Sequence, residues 1–143
     1  MLEVSKLSCG YGDIVAARDI NFCVSSGEVL AIIGANGAGK SSTLMCLSGL
    51  VEQYSGSITV NGAELATLKP EQRIKKGISI VPEGRRIFPD LSVLENLIIG
   101  GQIVDKQILH SGFEQAFTYF PRLRDRQRQL AGSLSGGEQQ MLA

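Results

Sequence analysis

The clearest chemistry in this sequence lies in Gly34-Ala-Asn-Gly-Ala-Gly-Lys-Ser41. It fits the pattern Gly, four residues, Gly-Lys, then Ser or Thr, a loop that cradles phosphate with its backbone. Gly34, Gly37 and Gly39 allow turns that a side chain would block. With Asn36 and Ala38 between them, they let N–H groups point inward. A helix beginning around Ser41 and Ser42 adds positive potential, so an anion binds there. Lys40 is placed to reach the β and γ phosphates of a nucleoside triphosphate, and the Ser41 hydroxyl to hold Mg²⁺.

The second informative stretch is Leu134-Ser-Gly-Gly-Glu-Gln-Gln140. Ser135 is a good N-cap, and Glu138 stands where a capping box needs its acidic partner. Gly136 and Gly137 in a first helical turn weaken the helix, by about 1 kcal/mol each on the interior scale. The stretch reads either as a glycine-weakened helix start with no ligand or as a turn that exposes backbone N–H groups to a closely approaching anion.

Several elements must position these residues. The apolar run at 29–33, Val-Leu-Ala-Ile-Ile, predicts a strand buried on both faces just before the phosphate loop. A strand is expected over 2–7, a loop over 8–13 holding Tyr11, and a half-buried strand over 20–24. Tyr11 reads either as a half-buried loop aromatic or as a ring on which a base stacks. A strand over 57–60 closes on Asn61-Gly62, a strong hairpin signal. Pro70 opens a short helix that Gly77 ends, and residues 78–81 suggest a second core strand stopped by Pro82. Glu83 to Arg86 then form a loop. Ser92 and Glu95 make a capping box for a helix whose apolar face carries Leu94, Leu97 and Ile98. A second helix, with Leu109, Phe113, Ala116, Phe117 and Phe120 at helical spacing, ends before Pro121. The two are expected to pack on each other, with the aromatic stripe as core. The basic run Arg122, Arg124, Arg126, Arg128 reads as a solvated connector, with a phosphate or partner contact as the alternative.

Composition narrows the classes. The chain has 143 residues, is 43% hydrophobic and carries zero formal net charge. That suits one domain or part of one, with no bulk attraction to nucleic acid or anionic lipid. No apolar run approaches the roughly 18 residues of a membrane span, and no signal-peptide pattern opens the chain. Cys9, Cys23 and Cys46 are spaced neither as a metal site nor as a disulfide framework, and are expected as free thiols in a reducing cytoplasm. His110 is expected as a surface or helix residue.

The phosphate loop and the Leu-Ser-Gly-Gly stretch make the entire chain resemble the nucleotide-binding subunits of ABC transporters. The segment Val81-Pro-Glu-Gly-Arg-Arg-Ile-Phe-Pro89, with Phe120-Pro-Arg-Leu123 and Gly137-Glu-Gln-Gln-Met-Leu-Ala143, is similar to the ATPase subunits of branched-chain amino acid importers. The resemblance implies an α/β fold. An antiparallel β subdomain and the phosphate-loop ATPase core would together cover about 1–90. An α-helical subdomain would cover about 91–134, with the signature and its helix start at 134–143. It further implies ATP and Mg²⁺ as ligands, Tyr11 stacking on adenine, and Ser135, Gly136 and Gly137 completing the ATP site of a second subunit. Glu83 stands where the family usually has Gln, a residue linking Mg²⁺ and the attacking water to the helical subdomain. A carboxylate there can accept from a metal-bound water or ligate Mg²⁺ itself.

The resemblance implies a transport-coupled ATP hydrolase at the cytoplasmic face of the membrane. Its partners would be a second ATPase subunit and integral permease subunits, with no nucleic acid. The family's Asp-Glu strand end and later His are not among these residues, so the fold is expected to be C-terminally truncated and the chain inactive in hydrolysis by itself. The rival readings are a soluble ABC-type ATPase without a permease, an inactive nucleotide-binding fragment, and another phosphate-loop kinase or GTPase. A GTPase would need an Asn/Thr-Lys-x-Asp segment, which the sequence does not contain.

Overall fold

A computed structural model describes residues 1–143, except for the side chains of Lys106 and Gln107. It divides into two compact units, Met1–Ile80 and Val81–Ala143.

The first unit is built on an antiparallel sheet. β1 (Leu2–Tyr11) lies between β2 (Ile14–Val24) and β3 (Glu52–Val60), and the short β4 (Ala63–Glu64) extends the sheet beyond β3. The β3–β4 hairpin turns on Asn61 and Gly62, with φ of 49° and 78°. Two successive positive φ values are what a tight primed turn needs, and Asn-Gly adopts them readily. β1 continues past its expected end at Leu7. Gly10 pairs with Val15 and Tyr11 with Ile14, so 8–11 is strand and Tyr11 is a strand-end residue, not a loop residue. Register shifts between Val4 and Gly10 absorb the irregular spacing that reads as a loop.

Helix α1 (Lys40–Leu47) packs against β1, β2 and β3. Its Cys46 and Leu47 join Val4, Leu7, Cys9, Ile58 and Leu65 in the first core. α2 (Pro70–Lys75) follows, with Pro70 in its first turn as expected. Its Arg73 is 4% exposed. The guanidinium donates to the carbonyls of Cys46 at 2.7 Å and Leu47 at 3.0 Å, at the end of α1. It also donates to Leu68 O at 3.1 Å and Ala66 O at 3.4 Å. All the hydrogen bonds of this buried cation go to carbonyl oxygens, two of them at a helix C-terminus, which favours positive charge, and Glu64 adds a favourable charge nearby.

Two strand expectations are overturned. Neither 29–33 nor 78–81 is a strand, and no strand among the described residues pairs with either. Val29 is 94% and Ile33 92% exposed. An apolar run forms a central strand only when hydrogen-bonded neighbours flank it on both sides.

The second unit is helical. α3 (Val93–Gly100) begins with the expected capping box, Ser92 accepting from the Glu95 amide at 3.2 Å. α4 (Lys106–Tyr119) ends before Pro121, which opens α5 (Pro121–Asp125). α6 (Gly136–Leu142) starts at the Ser-Gly-Gly stretch. Val93, Phe117, Leu123, Ala131, Leu134 and Leu142 form the second core, with Leu97 and Phe113 packed against it. α3 and α4 therefore share one core. The buried position on α3 is Val93, however, and Ile98 of the expected apolar face is exposed.

Arg73→Met should destabilise the chain by about 1–3 kcal/mol, the cost of leaving buried acceptors unmade. Urea unfolding followed by circular dichroism measures this. Arg73→Lys should recover only part, because an ammonium cannot reproduce the fork.

Candidate nucleotide site

The phosphate loop is held from below by the sheet. Gly39, the N-cap of α1, has φ of 84°. A Cβ there would run into the Ala16 carbonyl oxygen and come within 3.0 Å of the Ala17 Cβ. Only glycine gives both the left-handed turn and this approach to β2. The Gly39 carbonyl then accepts from the Thr43 amide at 2.8 Å and the Thr43 hydroxyl at 2.9 Å, fixing the first turn of the helix.

Lys40 Nζ donates to Gly34 O at 2.8 Å and Ala35 O at 2.7 Å. These bonds hold the ammonium against the loop, where a phosphate bound on the α1 amides would meet it. Gly34, Asn36, Gly37 and Ala38 are exposed loop residues, and Ala38 N–H donates to Ala35 O at 3.2 Å. Ser42 is half-buried, and its carbonyl accepts from Cys9 Sγ at 3.7 Å, tying the helix to β1. Ser41 is exposed, and its hydroxyl has no hydrogen-bond partner among the described residues. It therefore fits a Mg²⁺ ligand. No group of three His, Cys, Asp or Glu residues that could hold a metal lies among the described residues. Mg²⁺ commonly completes its shell with phosphate oxygens and water.

Tyr11 is 52% exposed, and its hydroxyl lies 3.8 Å from Met45 Sδ, which places the ring beside α1. Tyr54 supports the turn that follows, its hydroxyl donating to Gly12 O at 2.7 Å. The three cysteines are free, as expected. Burial, then the neighbouring Cys9, pushes the Cys46 thiol up to about 12, so it is no nucleophile at neutral pH.

In the second unit Ser135 and Glu138 form the expected capping box. Glu138 Oε2 accepts from Ser135 N–H at 3.0 Å and from the Ser135 hydroxyl at 2.8 Å. The amides of Gly136 and Gly137, in the first turn, take no acceptor among the described residues. The Ser135 hydroxyl and amide hold the Glu138 carboxyl below its usual range, and Arg126 and Arg122 add to this. Those two arginines belong to the run expected as a solvated connector. Arg126 Nε lies 3.4 Å and Arg122 Nη1 3.7 Å from Glu138 Oε1. Their spacing in sequence carries no sign of that carboxylate. Gln139 is also engaged, accepting from Arg85 Nη1 at 2.8 Å. Glu83 is exposed in the turn just before Arg85, with no hydrogen bond or ion pair among the described residues.

A glycine loop seated on β2, with a lysine folded over it at the start of α1, defines a phosphate-loop nucleotide-binding fold. Comparisons with known proteins narrow this. The pattern of the ABC transporter family matches residues 17–143, and the chain belongs to that family. It is 48% identical, over its whole length, to the high-affinity branched-chain amino acid transport ATP-binding protein BraG of Pseudomonas aeruginosa. It is 38% identical to the probable branched-chain amino acid transport ATP-binding protein LivF of Archaeoglobus fulgidus. In both matches the chain spans 61% of the relative's length. Among solved structures, an ATP-binding subunit of an ABC transporter superposes with a TM-score of 0.81 at 31% identity. That match covers 99% of this chain and 59% of the other. A dimeric ATP-binding cassette in a post-hydrolysis state, bound to ADP and Pi, shares the fold at a TM-score of 0.76 and 19% identity.

Lys40→Ala should weaken ATP binding, because the phosphates lose their point-charge partner. Equal equilibrium affinities of the two proteins for ATP would remove residues 34–41 as the site. Tyr11→Ala should cost ATP about 1–3 kcal/mol, the scale of base stacking, and leave the affinity for inorganic triphosphate unchanged. Isothermal titration with both ligands separates stacking from a general disturbance of the loop.

Proposed function

We propose that this chain belongs to an ATP-binding subunit that powers transport of branched-chain or related amino acids across a membrane. The phosphate-loop geometry carries the nucleotide part: a lysine held on the loop carbonyls, and a helix start seated by Gly39 against β2. The solute class rests on the names of the relatives that match along the whole chain.

In this reading ATP lies along α1. Lys40 meets the β and γ phosphates, the loop amides at 34–39 take the remaining charge, and Tyr11 stacks on the adenine. Ser41 holds Mg²⁺, with Glu83 as a further ligand or an acceptor for metal-bound water. Mg²⁺, when bound, neutralises charge on the transferring phosphoryl group. The turn at 135–137 serves the nucleotide of a second ATPase subunit, arranged head to tail, so binding draws two cassettes together and hydrolysis lets them part. No helix among the described residues is long and apolar enough to cross a membrane. Integral permease subunits would provide the path, with the ATPase peripheral at the cytoplasmic face.

Ser135→Arg tests the assembly in the full-length protein. Bulk and positive charge at the turn should leave ATP binding by one subunit intact, abolish ATP-dependent dimerisation in sedimentation, and fail to restore branched-chain amino acid uptake in a strain lacking the gene. An ATP-dependent dimer of this variant would overturn the cross-subunit role. Uptake that does not depend on the gene would point instead to an ABC-type ATPase without a permease.

A further inference from the structure

Glu138 is 5% exposed, yet its two carboxylate oxygens are treated very differently. Oε2 takes both donors of Ser135, at 2.8 Å from the hydroxyl and 3.0 Å from the amide. An ionised carboxylate only accepts, so the hydroxyl must be the donor in that bond. Its single proton is then committed within the chain, and its oxygen has only lone pairs left, one of them facing the Glu138 amide at 3.4 Å. A phosphate oxygen is also an acceptor. Ser135 can donate to it only by turning its proton away from Glu138.

That turn would strip a buried carboxylate of one of its two donors. Oε1 offers no relief as it stands, being buried and without a hydrogen bond. Arg126 Nε is 3.4 Å away and Arg122 Nη1 3.7 Å, at ion-pair distance but without hydrogen-bond alignment. The Arg126 guanidinium is steadied from its far side, Nη1 reaching Gln129 Oε1 at 3.5 Å. Its side chain is 38% exposed, so a small rotation toward Oε1 is open to it. Leaving a buried charged acceptor short of a donor is costly, and a charge-assisted bond from a guanidinium offsets that cost.

We propose that Arg126, assisted by Arg122, is a positioning residue that takes over the Glu138 carboxylate when the Ser135 hydroxyl turns its proton to a phosphate oxygen. The arginines touch no nucleotide. They act through Glu138, and they set how easily the turn at 135–137 engages an anion. This rests on the head-to-tail reading above.

The test is a double-mutant cycle in the full-length protein, read as the affinity of the ATP-dependent dimer. Arg126→Gln should weaken the dimer about 5- to 150-fold, the usual range for a coupling between two sites. ATP binding by the single subunit should not change, and the thermal midpoint should fall too little to account for the lost dimer affinity. Arg126→Lys should restore most of the affinity. In a Glu138→Gln background, where no charge needs a new partner, Arg126→Gln should cost less than about twofold. An unchanged dimer in Arg126→Gln, or an equal loss in both backgrounds, overturns the proposal. So does a loss that tracks a fall in thermal midpoint. Ser135→Arg in the same assay distinguishes the two levels. If that variant still dimerises, the cross-subunit reading fails and the proposal falls with it. If it does not dimerise while Arg126→Gln behaves as the parent protein, only the role of the arginines fails.

Discussion

The approach of the α1 N-terminus to β2 is the constraint on which the first unit depends. Gly39 sits where any side chain would strike the Ala16 carbonyl. That contact fixes where the helix begins, and so where its free amides and Lys40 stand. The other end of α1 is fixed by different means. Arg73 reaches across from α2 and binds the Cys46 and Leu47 carbonyls. The negative end of the α1 dipole is thereby met by a buried guanidinium. Between the ends, Cys46 and Leu47 press into the sheet core. A short helix of Lys40–Leu47 has little stability of its own, so packing and end contacts hold it.

The second unit uses the same chemistry with the signs reversed. Here a carboxylate, Glu138, organises a helix start, and arginines answer the carboxylate. Gly136 and Gly137 give the turn no side-chain support, so its shape depends on the Ser135–Glu138 box beneath it. The neighbouring Arg85–Gln139 bond ties the segment after Glu83 to the same helix. Residues read as a loop, a connector and a helix start thus meet at the first turn of α6.

Much of this was legible in the residues alone. The spacing of Gly34, Gly39, Lys40 and Ser41 fits the phosphate-loop pattern, and Gly39 and Lys40 stand at the start of α1 as that pattern requires. Ser92 with Glu95, Ser135 with Glu138, and Asn61-Gly62 determined helix starts and a hairpin, because each is a local hydrogen-bond or φ requirement met within four residues. Tertiary structure decided what depends on neighbours distant in sequence. The run at 29–33 has the composition of a buried strand, yet it is exposed, since a ladder needs partners that composition cannot supply. Tyr11 became a strand end because β2 pairs with it. Arg73 and Arg126 look like ordinary surface cations in sequence. Only the fold carries one to the end of α1 and the other to a buried carboxylate, since both contacts link segments whose separation no local pattern records.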